Sequence, residues 1–204
     1  MAVSRRKKKT LTIMASLIAL ISVLITSSYA KPTNNQTPES SKTKSSQPET
    51  VKPKPKRYGY PVRLRIAKIG VEAKVQYLAL TDDNDLDVPS NITDVGWYKL
   101  GVRPGNVGSA VIDGHFNGPK GEPGVFNRLT ELKKGDRVLV NDNKGNTINF
   151  LVRKTKAFEP DEQPKEVFSS SKGVHLNLIT CSGEWSSKDG QYSKRTVVFT
   201  DLIE

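Results

Sequence analysis

Residues 62–66 (VRLRI) alternate apolar and polar side chains with a period of two, and residues 71–77 (VEAKVQY) resume the alternation after Gly70. That period puts successive side chains on opposite faces of an extended chain, so both segments predict half-buried strands, joined as a hairpin or bent pair. Residues 109–113 (SAVID) predict another strand, and residues 137–141 and 147–157 predict a hairpin about the turn Asn143-Lys144-Gly145-Asn146. Residues 176–179 (LNLI) alternate again and run into Cys181, and residues 195–200 (RTVVFT) predict the last strand. Apolar positions 125, 126, 129 and 132 in VFNRLTEL suffice for one or two helical turns. Between these lie an acidic turn at 81–87 (TDDNDLD), an aromatic spot at 95–98 (VGWY) and a Gly/Pro-rich turn at 101–108. Two loops follow, 158–173 with Pro160 and Pro164, and 182–194. Trp97 is expected in the core. Seven or eight short strands with little helix predict a closed β-barrel or sandwich, and no internal repeat is visible.

Ahead of this domain, residues 58–204, the pattern changes twice. Arg5-Arg6-Lys7-Lys8-Lys9 precedes an uncharged run over residues 10–30, rich in Leu and Ile. Ser28-Tyr29-Ala30 would suit a cleaved secretory signal. An uncharged run of 21 residues instead suits an uncleaved signal-anchor, since about 20 residues cross the hydrocarbon core. The anchor is the favoured reading for residues 1–30, with the basic cluster cytoplasmic and the rest outside the cell. Residues 31–57 carry five prolines and almost no apolar side chains, so they cannot offset their backbone entropy and read as a disordered tether.

Charge then changes the picture of partners. The formal net charge of +11 could suggest nucleic acid. However, residues 1–57 hold 12 basic and 2 acidic side chains, whereas residues 58–204 hold 20 and 19. The domain is nearly neutral, which argues against a phosphate-binding surface. Two histidines and one cysteine at these spacings match no zinc pattern, and the 81–87 turn lacks the Gly and terminal Glu of an EF-hand, so no metal or cofactor is expected.

Three polar residues lie near strand ends, in the chain order His115, Cys181, Arg195. Cys181 is the only cysteine and therefore cannot form an intrachain disulfide. A thiol is intrinsically nucleophilic, an imidazole can hand a proton to a leaving amine, and a guanidinium can stabilise an oxyanion. Together they would make a thiol acyltransferase. Singly each has a plainer reading: a buried Cys as a small hydrophobe, a His capping a turn, an Arg as one surface charge. His175, at the other end of the Cys181 strand, is expected to be structural or solvated.

Leu178-Ile179-Thr180-Cys181 resembles the Leu-x-Thr-Cys motif of the sortases, cysteine transpeptidases of Gram-positive cell surfaces. Asp113-Gly114-His115 is similar to their x-Gly-His motif, and Arg195 falls at their arginine position at the start of the last strand. The stretch from Val95-Gly96-Trp97-Tyr98 to His115 most resembles class F, ahead of class E or D. The resemblance implies an all-β, closed eight-stranded barrel with one or two short helices. It implies Cys181 as nucleophile, His115 as acid/base, Arg195 as oxyanion and substrate-positioning group, and Thr180 as oxyanion support. The implied partners are a Leu-Pro-x-Thr-Gly-like sorting signal of secreted surface proteins and an amine acceptor on a peptidoglycan precursor. The loop 158–173 would wall the groove for the signal's apolar part, and Trp185 or Tyr192 would line the acceptor side. The competing readings are an L,D-transpeptidase, which would carry a Ser-His-Gly-Cys-like motif absent here, and an exported wall-binding β-domain with a structural Cys181.

Overall fold

A computed structural model describes residues 56–170 and 172–203, which all fall within the compact unit Lys52–Glu204. The expected membrane segment 1–30 and all but the last two residues of the tether 31–57 lie outside the described residues. Among the described residues, no helix is long and apolar enough to cross a membrane.

Eight strands form the fold: β1 (Pro61–Ile66), β2 (Val71–Leu78), β3 (Val95–Tyr98), β4 (Gly108–Asp113), β5 (Arg137–Asp142), β6 (Thr147–Phe158), β7 (Val174–Ser186) and β8 (Gln191–Leu202). They close into a barrel in the order β1-β2-β3-β4-β7-β8-β6-β5. The β2–β3 and β4–β7 pairs are parallel and the other pairs antiparallel. Closure pairs every edge, so the barrel offers no open ladder to another chain. The expected β1–β2 and β5–β6 hairpins form, and the aromatic spot becomes β3.

The interior is filled by Leu64, Ile66, Val95, Trp97, Ile112, Phe126, Phe150, Leu176, Leu178 and Val198, all at most 2% exposed. Trp97 is thus in the core, with its indole N–H donated to the Val102 carbonyl at 3.0 Å. A second cluster lies on the opposite face of β4, β7 and β8. Val111, Val197 and Phe199 pack there with Phe158 and Val167, and Ile179 rests against them. Burial on both faces explains why β4 and β8 contain short continuous apolar runs, Ala110–Ile112 and Val197–Phe199.

Two expectations change. Residues 182–194 are expected to form a loop, yet β7 continues to Ser186 and β8 starts at Gln191. The ladder is irregular between Ser182 and Trp185, where Gly183 has φ +80°, a conformation costly for other residues. Few apolar side chains mark this extension, because it projects beyond the core and is held by backbone pairing and the Trp185–Tyr192 ring contact (centroids 5.2 Å). The loop 158–173 also carries a one-turn helix, α1 (Lys165–Phe168), pinned by Val167 in the second cluster. The segment 125–132 holds a single 3-10 turn, Leu129–Glu131, within the one or two turns expected.

Candidate active site

The pleat decides which side chains face outward. Along β7, Leu176 and Leu178 point into the barrel, so Asn177, Ile179 and Cys181 point to the second cluster. Along β8, Val198 points in, whereas Val197 and Arg195 point out. Cys181 and Arg195 are direct cross-strand partners, which sets thiol and guanidinium side by side on one face. Above this row runs a groove of about 790 Å³, whose lining includes Cys181, His115 and Arg195. Its walls are the β2–β3 connection (Leu80, Leu86, Val88) and the β6–β7 connection with α1. The expected wall 158–173 is therefore in place, joined by one the sequence did not suggest.

His115 sits two residues beyond β4 and is held from several sides. The Gly114 N–H donates to the Ile179 carbonyl at 3.1 Å, and the Phe126 N–H donates to the His115 carbonyl at 2.9 Å. A side chain at Gly114 would stand only 2.6 Å from the Phe126 ring, so a glycine precedes the histidine for want of space. The imidazole Nε2 donates to the Pro89 carbonyl, 2.8 Å away in the β2–β3 connection. That contact fixes the tautomer of a neutral ring and leaves Nδ1 as the nitrogen able to take up a proton.

Arg195 is aimed by acceptors on its own hairpin: the Tyr192 and Lys194 carbonyls, both at 3.2 Å, and Gln191 Oε1 at 3.3 Å. It enters no ion pair among the described residues. Its charge is therefore available to an anion in the groove. The Cys181 thiol is half-buried, and burial pushes its pKa up. Arg195 opposes that shift, whereas the neighbouring Asp113 carboxyl adds to it.

Thr180 departs from its expected role. Its side chain points into the barrel, and its buried hydroxyl donates to the Gly114 carbonyl at 2.7 Å. Adjacent residues of a strand face opposite ways, so Thr180 cannot share the groove with Cys181. Its one proton braces the His115 loop rather than an oxyanion. His175 lies at the far end of β7, with Nδ1 on Asp201 Oδ1 and Nε2 on the Lys172 carbonyl, both at 2.8 Å. Three further groups carry no motif of their own: Asp113, the Pro89 carbonyl, and Asn177, whose Nδ2 donates to Val167 in α1 at 2.6 Å. Only Asp113 left a signal, since it shares β4 parity with Val111 and so faces the groove.

The sortase domain family matches residues 64–203, more than half of the chain and nearly the whole barrel. The chain belongs to the sortase family. Sortases are cysteine transpeptidases that anchor surface proteins or pilins to the cell wall, and that is the activity of this enzyme. Solved sortases share its fold. Sortase C-1 from Actinomyces oris is 23% identical with a TM-score of 0.56, the match covering 71% of this chain and 75% of that one. The lid mutant of sortase A from Corynebacterium diphtheriae is 17% identical with a TM-score of 0.56, covering 74% of each chain. Sortase C from Clostridium perfringens SM101 is 19% identical with a TM-score of 0.52, covering 72% of each. No curated protein matches the chain. The sortase barrel thus replaces both competing readings, the L,D-transpeptidase and the binding domain.

Proposed function

We propose that Cys181, His115 and Arg195 carry out the transpeptidation, with a division of labour set by their chemistry. The observation behind this is the meeting of the three side chains in one groove, with Cys181 and Arg195 paired across β7 and β8. Cys181 Sγ, as the thiolate, attacks the carbonyl carbon after the threonine of a Leu-Pro-x-Thr-Gly-like signal. The carbonyl oxygen becomes an oxyanion, which the Arg195 guanidinium stabilises with charge and N–H donors. The C–N bond then breaks, and protonated His115 gives its proton to the departing glycine amine. A thioacyl enzyme remains. An acceptor amine attacks it, His115 takes the amine's proton, and Cys181 leaves as the thiolate as the new amide bond forms, which restores the starting pair of thiolate and protonated His115.

The apolar Leu-Pro part of the signal suits the groove floor of Ile179 and Val197 and the walls formed by Leu80, Leu86 and Phe168. The acceptor fits the other side of His115. There Phe116, Tyr192 and Trp185 stack edge to face, with centroids 5.3 and 5.2 Å apart, and Trp185 is 58% exposed. The acceptor is an amino group of a peptidoglycan precursor. The branch is class F, on the likeness of residues 95–115. The location is the cell membrane of a Gram-positive-type surface, with residues 10–30 spanning once and the domain outside, on the basic cluster and apolar run that precede the tether.

The test is incubation of the enzyme and its Cys181→Ala variant with a quenched Leu-Pro-x-Thr-Gly peptide, with and without an amine acceptor, followed by intact mass. Expected is a thioacyl adduct on the wild type alone and an amine-dependent product. Absence of adduct across a library of signal peptides, on a folded enzyme with a reactive thiol, overturns the peptide assignment.

A further inference from the structure

Asp113 closes a row that runs across three strands. It pairs with Ile179 in the parallel β4–β7 register, one pleat step from Cys181, and Cys181 pairs in turn with Arg195. All three face the groove, so a carboxyl, a thiol and a guanidinium stand in sequence on its floor. The carboxyl enters no ion pair and receives no side-chain hydrogen bond among the described residues. The charged or titratable groups facing this part of the groove are Tyr98 from β3, Asp85 from the β2–β3 connection, Asp161, Glu162 and Lys165 from the β6–β7 connection, His115, Cys181 and Arg195. An acidic side chain there meets a thiol that must become anionic and a guanidinium that must remain available.

We propose that ionisation of Asp113 turns the site down, by opposing the Cys181 thiolate and drawing Arg195 away from the oxyanion. This rests on the assignment of Cys181 and Arg195 above. Two effects of a carboxylate act in the same direction. It raises the free energy of a thiolate nearby, which lowers the nucleophile's abundance. It also competes with the oxyanion for the only guanidinium in the row. A neutral carboxyl does neither. Burial pushes the Asp113 pKa up to about 7, against weaker opposition from the Gly114 N–H, His115 and Arg195, so the changeover falls in the working range. Asparagine preserves the shape of the neutral form and cannot ionise.

The experiment uses the full chain and its Asp113→Asn variant, with two readouts over a pH range of about 5.5 to about 9.5, which spans the carboxyl titration. One is kcat/KM with the signal peptide and amine, and the other is the rate of Cys181 alkylation by iodoacetamide. For the variant we expect the fall in kcat/KM that starts near pH 7 to move upward, and alkylation at about pH 7.5 to be faster by roughly threefold or more, as befits a lowered thiol pKa. Superposable profiles in both readouts overturn the proposal. If no peptide is cleaved by either enzyme, the alkylation arm still decides Asp113 while the function assignment fails separately. Should Asp113→Asn not fold, the carboxyl stretch in infrared difference spectra of Cys181→Ala against pH takes its place. A single Asp titration near 7 supports the proposal, and titration of all carboxyls near 4 overturns it.

Discussion

The two histidines of this chain stand in opposite situations at opposite ends of parallel strands. His175 has both ring nitrogens engaged, by Asp201 and by the Lys172 carbonyl, and lies on the rim away from the groove. His115 has one nitrogen engaged, by the Pro89 carbonyl, and its ring opens onto the groove beside Cys181 and Arg195. A fully satisfied imidazole is a strut, because moving a proton would break a hydrogen bond. A ring anchored through one nitrogen keeps its aim while the other nitrogen can gain and lose a proton. The contrast fits the proposed assignment of acid/base work to His115 and a structural place to His175.

Three substitutions test it, in falling order of effect. His115→Ala should lower kcat/KM by about 10³-fold, within the usual range for a lost general acid–base, at a nearly unchanged melting temperature. A loss under about tenfold would move the proton transfer to another group. Thr180→Val removes the brace on Gly114 and should cost about tenfold in kcat with KM little changed, through a displaced imidazole, plus about 1 kcal/mol of stability in urea. Unchanged kcat would show that the Gly114 and His115 backbone bonds position the ring unaided. His175→Ala should leave kcat/KM within about twofold and cost on the order of 1 kcal/mol. An activity loss matching that of His115→Ala would erase the distinction between the two.

Much of the barrel is legible in the sequence. Period-two alternation marks β1, β2 and β7, a tight turn marks β5 and β6, and apolar runs mark β4 and β8, since burial leaves its signature in side-chain choice. What escapes is held by backbone or by position. The outer half of the β7–β8 hairpin is polar, so no alternation announces it. Helix α1 is a single turn secured by Val167 and the Asn177 amide, too short for a helical period. Thr180 is the instructive case. Its identity suggests a hydroxyl for the oxyanion, yet its adjacency to Cys181 already places it on the other face. Pleat parity decides the matter, and the same parity adds Asp113 to the groove.

That parity also constrains how such a chain can vary in length. Insertion or deletion of a single residue in the part of β7 that precedes Cys181 would exchange Cys181 for a neighbour, turning the thiol into the apolar interior and presenting the wrong side chain to Arg195. The turn between Ser186 and Gln191 lies beyond the paired row, so residues added there leave the facing of Cys181 and Arg195 unaltered. The hairpin therefore divides into a counted part and an uncounted part. Grafted peptides or reporter tags belong in the second, and in the first even one extra alanine should silence the enzyme.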